Sequence, residues 1–149
     1  MATIIDGKAL AAKVKAQVAE ELSASGIKAG LAVIILGDNP ASRIYVNNKR
    51  SDCRECGIES FEYALAEDTS EHELLELITA LNCDDRVDGI LVQLPLPKQI
   101  DEQKILRAIA PDKDVDAFHP YNVGLIMTGE YRFLPCTPAG VMAMLEEYG

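Results

Sequence analysis

Short apolar runs that alternate with longer stretches of helical spacing constrain the fold of this chain more than any other feature. The clearest run is LAVIIL, residues 31–36, which is rich in β-branched residues and has no polar alternation. Such a run is typical of a strand that is buried on both faces, as strands of parallel sheets are. We predict two further strands, over Glu59–Leu65 and residues 87–93.

The segments between these runs have the residues that begin and end helices. Asp6 and Gly26 bound a first stretch in which apolar residues recur every four positions. Asn39 as a cap and Pro40 at the first helical position predict a second helix, which ends near Gly57. Further helices are predicted over residues 70–82, with Ser70 and Glu73 as a capping box, over 102–110, and over 138–148 with Thr137 as the cap; residues 111–124 are predicted to form an irregular loop.

Strands that are separated by helices of this length must be joined by right-handed crossovers and therefore run parallel. The pattern predicts an α/β fold, a three-layer sandwich in which a mostly parallel sheet is flanked by helices. The 149 residues, 48% of them hydrophobic, suffice for one domain with its own core. In such folds ligands bind beyond the carboxyl ends of the strands.

Charge and hydropathy exclude several classes of partner. Fourteen basic and 24 acidic residues give a net charge of −10, which disfavours nucleic acid and anionic membranes. No stretch approaches the roughly 20 apolar residues that span a bilayer, and the N-terminus lacks the apolar core of a signal peptide. We therefore predict a cytoplasmic protein that binds neither nucleic acid nor membrane.

The cysteine spacing gives little support for a metal site. Cys53 and Cys56 form a Cys-x-x-Cys pair, but no second pair accompanies them, and His72 and His119 are the only histidines. Zinc or redox chemistry is the less probable interpretation of a single pair. We predict no metal.

The stretch SRIYVNNKR places Ser42, Tyr45 and Lys49 on one face of the second predicted helix. Taken alone, this pattern usually means a lysine stem lying along an aromatic ring on a solvated face. Gln93, at the end of the third predicted strand, would by itself usually pair with loop backbone. Lys49 nevertheless follows the first predicted strand and Gln93 ends the third. Because the carboxyl ends of these strands should lie at the same edge of the sheet, the two residues are expected to be close together.

Tyr-x-x-x-Lys is also the catalytic pair of short-chain dehydrogenases, but the context here differs. A dinucleotide-binding fold shows a glycine-rich turn after its first strand, so that backbone amides can approach the pyrophosphate. In this chain that turn, GDNPAS, contains a single glycine, Gly37. The chain itself is therefore not predicted to bind a dinucleotide.

The segments NPASRIYVNNKR, DGILVQLPLP, PDKDVDAFHPYNVG and PCTPAG occur in the order and spacing of a known family. Together they resemble the catalytic domain of bifunctional methylenetetrahydrofolate dehydrogenase/cyclohydrolase, and the resemblance covers essentially all 149 residues. It implies an enzyme that oxidises 5,10-methylene-tetrahydrofolate with NADP or NAD and hydrolyses the product to 10-formyl-tetrahydrofolate. A folate-binding or regulatory module without turnover is the alternative.

The resemblance also implies roles for individual residues. Lys49 would be the essential catalytic lysine, Tyr45 would stack beside the folate rings, and Gln93 would hydrogen-bond the lysine. Asp116 would grip the pterin edge, although Asp114 and Asp116 also suit turns. The remaining substrate-binding residues implied are Ser42, Leu94 and Pro95.

The family's second domain, a Rossmann domain that binds NADP, is expected after residue 149 and is absent from this chain. The full-length family enzyme is expected to be a homodimer. Two positions depart from the family pattern: Ala117 stands where glycine is usual, and Leu125 where arginine is common. Ala117 affects the loop that carries Asp116. Leu125 lacks the positive charge that an arginine would supply for a basic contact.

Overall fold

The computed structural model describes residues 4–149 and shows an α/β fold. Six helices and three strands alternate along most of the described chain. In order they are α1 (Gly7–Ser25), β1 (Gly30–Leu36), α2 (Pro40–Cys56), β2 (Glu59–Leu65), α3 (Glu71–Asn82), β3 (Gly89–Val92), α4 (Glu102–Ala108), α5 (Pro120–Thr128) and α6 (Cys136–Tyr148).

The three strands form one parallel sheet with the order β2-β1-β3. β1 lies in the middle, where Ile34 pairs with Tyr63 on one side and Val92 on the other. This position explains why its sequence is apolar throughout. β3 is shorter than the predicted 87–93, although the backbone amide of Gln93 still donates to the Ile34 carbonyl at 2.8 Å.

Alternate residues of β1 pack against helices on opposite faces of the sheet. Ile34 belongs to a core that includes Ile78 of α3 and Ile105 of α4. Val33 belongs to a second core with Val46 of α2. Fully burying such aliphatic side chains stabilises the fold by about 1.5–3 kcal/mol each. The predicted three-layer arrangement is confirmed.

Most predicted helix ends are confirmed, because side chains supply the partners that terminal backbone groups need. Asp6 caps α1, and its carboxylate accepts the Ala9 amide at 2.9 Å. Ser70 and Glu73 form the expected capping box at the start of α3. α2 begins at Pro40 and ends before Gly57, whose φ of 80° is the left-handed conformation that favours glycine.

Two predictions in the C-terminal third are wrong. Residues 111–124 do not form one irregular loop, because α5 begins at Pro120. The unexpected cap is His119, whose ring Nδ1 accepts the Tyr121 amide at 3.1 Å. Thr137 does not cap α6, which already begins at Cys136 and has no side-chain cap.

Candidate functional site

The first component of the site is the face of α2 that contains Tyr45 and Lys49. Asn39 fixes the start of this helix, since its side-chain oxygen accepts the amides of Ala41 and Ser42. Ser42 is buried on the side that packs on the sheet. Tyr45 is 59% exposed, and the Lys49 Nζ lies 5.6 Å from its ring centroid.

Lys49 also lines a cavity of about 1030 Å³ beside α2. Asp116 lines the same cavity, although 67 residues separate the two in sequence. The walls are largely apolar, with Leu91 and Val115 on one side and Phe133 on another. A large apolar cavity with a few convergent polar groups is the usual form of a small-molecule site.

The loop that bears Asp116 lies close to β3 because Gly89 leaves room for it. A Cβ at position 89 would lie only 2.5 Å from the Cγ1 of Val115. Ala117, next to Asp116, has a φ of 55°, which L-residues rarely adopt. Glycine is the residue that tolerates this conformation best, which gives a physical reason for a glycine at this position.

Three effects act on the carboxyl group of Asp116. Burial raises its pKa above the ordinary value, the nearby Lys49 ammonium lowers it, and the Asp114 carboxylate raises it. The net effect is a raised pKa. A partly buried carboxyl group near an ammonium group in a cleft is a typical functional arrangement.

Gln93 is placed differently from what the resemblance implies. Its side-chain amide donates to the Leu94 carbonyl at 2.9 Å, and no hydrogen bond joins it to Lys49 within residues 4–149. The Gln93–Lys49 hydrogen bond is thus not formed among the described residues, and the role of Gln93 stays a prediction. The Gln93 Oε1 is buried and has no partner among the described residues, which is costly unless a ligand or another side chain supplies a donor.

The predicted site residues do not all line one cavity. Lys49 and Asp116 do, whereas Pro95 lines a separate hollow of about 400 Å³ at the carboxyl end of β1. The larger cavity lies beside the amino-terminal part of the sheet, where Gly30 and Gly89 begin β1 and β3. The cavity that Lys49 and Asp116 share is therefore not at the carboxyl ends of the strands, where a site was expected.

Sequence reasoning missed several residues of the cavity. Arg132 and Phe133 line it from the segment before α6, and Cys136 lines it from the first position of that helix. The signal for this segment was PCTPAG, a motif that carried the family resemblance but no individual chemistry. Cys53 and Cys56 also line the cavity, and burial raises the pKa of both thiols.

Neither a cluster of metal ligands nor a membrane-spanning helix is found in residues 4–149. Within residues 4–149, no group of three or more acidic, histidine or cysteine side chains is arranged to hold a metal ion. None of the helices there is both long and apolar enough to cross a bilayer.

The parallel sheet and the cavity shared by Lys49 and Asp116 define a small-molecule-binding domain of the α/β class. Comparison with known proteins identifies the family to which this domain belongs. The family model described as tetrahydrofolate dehydrogenase/cyclohydrolase, catalytic domain, matches residues 5–116. The chain belongs to this family.

Curated relatives and solved structures agree with this assignment. The chain is 62% identical to the bifunctional protein FolD of Ruminiclostridium cellulolyticum and 59% identical to that of Acetivibrio thermocellus, in each case over 99% of this chain and 53% of the relative. The bifunctional enzyme FolD of Campylobacter jejuni superimposes with a TM-score of 0.93 at 53% identity, over 98% of this chain and 53% of that one. The Trypanosoma brucei enzyme, described as complexed with NADP cofactor and inhibitor, gives 0.92 at 34% identity, over 97% of this chain and 51% of that one. The chain spans about half the length of the relatives it matches.

Proposed function

We propose that this chain is the folate-binding catalytic domain of a longer bifunctional methylenetetrahydrofolate dehydrogenase/cyclohydrolase of one-carbon metabolism. The observation that carries the proposal is that Lys49 and Asp116 meet in one cavity of a chain that belongs to the family. The names of the relatives support both activities. The chain would supply the folate site and the catalytic lysine.

Asp116 is proposed to bind the pterin edge of the substrate. A carboxylate accepts two hydrogen bonds, from a ring N–H and from the adjacent amino group, which fixes the orientation of the ring. The raised pKa of Asp116 shows that its charge is poorly compensated in the free domain. Two donors from a ligand would provide that compensation.

Tyr45 and Gln93 are proposed to complete the substrate contacts. The exposed ring of Tyr45 offers a flat surface on which an aromatic ligand can stack. The Gln93 Oε1 is an unused acceptor at the end of β3. Ser42, Leu94 and Pro95 are retained as proposed substrate-binding residues from the family resemblance.

Lys49 is proposed to move protons during hydrolysis of the 5,10-methenyl cation. Water adds to the cationic carbon between N5 and N10, and a proton leaves the added oxygen. The bond from this carbon to N5 then breaks, N5 takes up a proton, and the remaining hydroxyl proton leaves the oxygen, so that 10-formyl-tetrahydrofolate forms with net release of one proton. An amine that is held beside the reacting carbon can accept a proton from the added oxygen and deliver a proton to N5.

NADP is proposed to bind a part of the longer protein that follows residue 149, and NAD is possible in its place. The turn after β1 does not fit a pyrophosphate, because the Asn39 side chain already accepts the first free amides of α2 and Pro40 has no amide. A cytoplasmic location and a homodimer are proposed for the longer protein, and no metal is required.

Hydrolysis of methenyl-tetrahydrofolate tests the proposal against the alternative, a folate-binding module without turnover. The longer protein should hydrolyse the compound well above the buffer rate. A variant in which Lys49 is replaced by methionine should bind a tetrahydrofolate derivative but not accelerate hydrolysis. Binding by the unmodified protein without any acceleration would establish the alternative instead.

A further inference from the structure

Asp114 is a deeply buried acidic residue, with only 1% of its surface exposed. Its backbone lies beside β3, where it forms a parallel bridge with Ile90. The Ile90 amide donates to the carbonyl of the preceding residue, Lys113, at 2.7 Å. The start of the Asp116 loop is thus fixed to the sheet.

The Asp114 side chain also fixes the far end of that loop. Its Oδ2 accepts the backbone amide of His119 at 2.8 Å and the side-chain amide of Asn122 at 2.9 Å. The same Asn122 amide group donates to the Pro111 carbonyl at 2.8 Å. One carboxylate oxygen therefore joins the beginning of the loop to the start of α5, and Asp116 lies between them.

Both donors to Asp114 are neutral. The neighbouring ammonium of Lys113 is turned away and donates to the carbonyls of Leu81 and Asp84, at 3.1 and 2.9 Å. A buried carboxylate without a cationic partner is costly. If the loop that begins at Asp114 needed only a hydrogen-bond acceptor, a neutral side chain at the protein surface would serve equally well.

The backbone inside the loop requires such restraint. Ala117 holds a φ of 55°, and its amide donates to the Asp114 carbonyl at 3.1 Å. A non-glycine residue keeps a left-handed conformation only where its surroundings impose it. The bonds of Asp114 impose it here, one residue from Asp116.

We propose that Asp114 is a positioning residue, whose buried side chain closes the loop over residues 114–119 and holds Asp116 in the cavity beside Lys49. This inference rests on the proposed folate-binding role of Asp116. Asp114 does not reach the substrate and acts through the loop.

Two substitutions distinguish the positioning role of the Asp114 side chain from the effect of its charge. Asp114→Asn keeps an oxygen where His119 and Asn122 donate but removes the charge, whereas Asp114→Ala removes the acceptor as well. Affinity for 5-formyl-tetrahydrofolate is measured in the longer protein by calorimetry. We expect Asp114→Ala to weaken binding at least about tenfold, as the loss of hydrogen bonds to a buried carboxylate implies, and Asp114→Asn to stay within about threefold.

The control is Asp68→Ala, which removes an exposed aspartate from another loop and should leave affinity unchanged. Asp114→Ala and Asp114→Asn weakening binding equally would show that charge alone matters and would overturn the proposal. Where Asp116→Ala itself weakens binding, unchanged affinity in the folded Asp114→Ala protein would reduce Asp114 to a stabilising residue and would also overturn the proposal. If Asp114→Ala does not fold, Asn122→Ala removes one of the two donors, and unchanged affinity there would be equally decisive.

A second measurement needs no ligand. Carboxyl NMR of the 149-residue chain follows the chemical shift and pKa of Asp116. Loss of the Asp114 charge should lower that pKa in both variants, and only Asp114→Ala should also move the Asp116 resonance of the ionised form. If the Asp116 resonance moves in Asp114→Ala but Asp116→Ala leaves folate affinity intact, the proposed folate site is wrong and the positioning inference stands. An unmoved Asp116 resonance in Asp114→Ala would refute the positioning.

Discussion

Replacement of Lys49 with methionine tests the proposed chemistry most directly. Methionine keeps most of the stem volume beside Tyr45 and removes the ammonium, which lies 5.6 Å from the Tyr45 ring centroid. Within residues 4–149, the Lys49 ammonium makes neither a hydrogen bond nor an ion pair at 4 Å or less. The fold should therefore tolerate the change.

Replacement of Lys49 with methionine should change stability and activity by very different amounts. A partly exposed cation above an aromatic ring contributes about 0.5–1 kcal/mol, so the free energy of unfolding should fall by no more than that. Positioned proton transfer contributes roughly 10²- to 10⁴-fold to a rate, or about 2.7–5.4 kcal/mol of transition-state stabilisation. Activity should fall by at least about a hundredfold while stability barely changes.

The assay follows the loss of methenyl-tetrahydrofolate absorbance in the longer protein, with urea unfolding of the same samples. Lys28→Met, at an exposed lysine before β1, is the matched control and should retain full activity. Carboxyl NMR adds an independent readout, because loss of the Lys49 charge should raise the pKa of Asp116 further. Retention of more than about a tenth of the hydrolysis rate would refute a proton-transfer role for Lys49.

Four further predictions concern binding and stability. Asp116→Asn should weaken binding of tetrahydrofolate derivatives at least about tenfold in calorimetry, because a charged acceptor is lost. The same variant should raise the free energy of unfolding at pH 7 but not below the ordinary carboxyl pKa, since the raised pKa of Asp116 means that only its ionised form destabilises the fold. The 149-residue chain should show no saturable calorimetric binding of NADP or NAD at millimolar concentration, because Asn39 and Pro40 leave no free amides after β1. Asn39→Ala should lower the free energy of urea unfolding by about 1 kcal/mol through loss of the α2 cap, and an unchanged urea midpoint would contradict that cap's role.

The sequence predicted those parts of the fold whose causes are local. β1 was recognisable because a central strand of a parallel sheet is apolar on both faces. The start of α2 and the capping box of α3 were recognisable because a few neighbouring side chains bond the terminal amides. Each of these features depends on residues within a turn or two of one another.

The errors lie where a distant partner or an uncommon residue decides the structure. α5 was missed because its cap is His119, whose ring accepts the Tyr121 amide in place of a commoner Asp, Asn or Ser. The cavity was only partly anticipated, since no local pattern predicts that Arg132 and Phe133 line the same cavity as Lys49. Lys49 and Asp116 were paired through a family resemblance, and no rule of periodicity joins residues so far apart.

The two aspartates of the KDVDA segment show how one loop can serve both folding and binding. Asp114 is satisfied by fixed donors from His119 and Asn122, whereas the opposing charge of Lys49 offsets the burial of Asp116 incompletely. The raised pKa of Asp116 means that the folded domain holds its proton more tightly than the unfolded chain, so the ionised carboxylate costs stability at neutral pH. A ligand that donates two hydrogen bonds to Asp116 removes this cost, which adds to the free energy of binding. Of the two aspartates in this loop, Asp116 is therefore the one that we propose for recognition of the substrate.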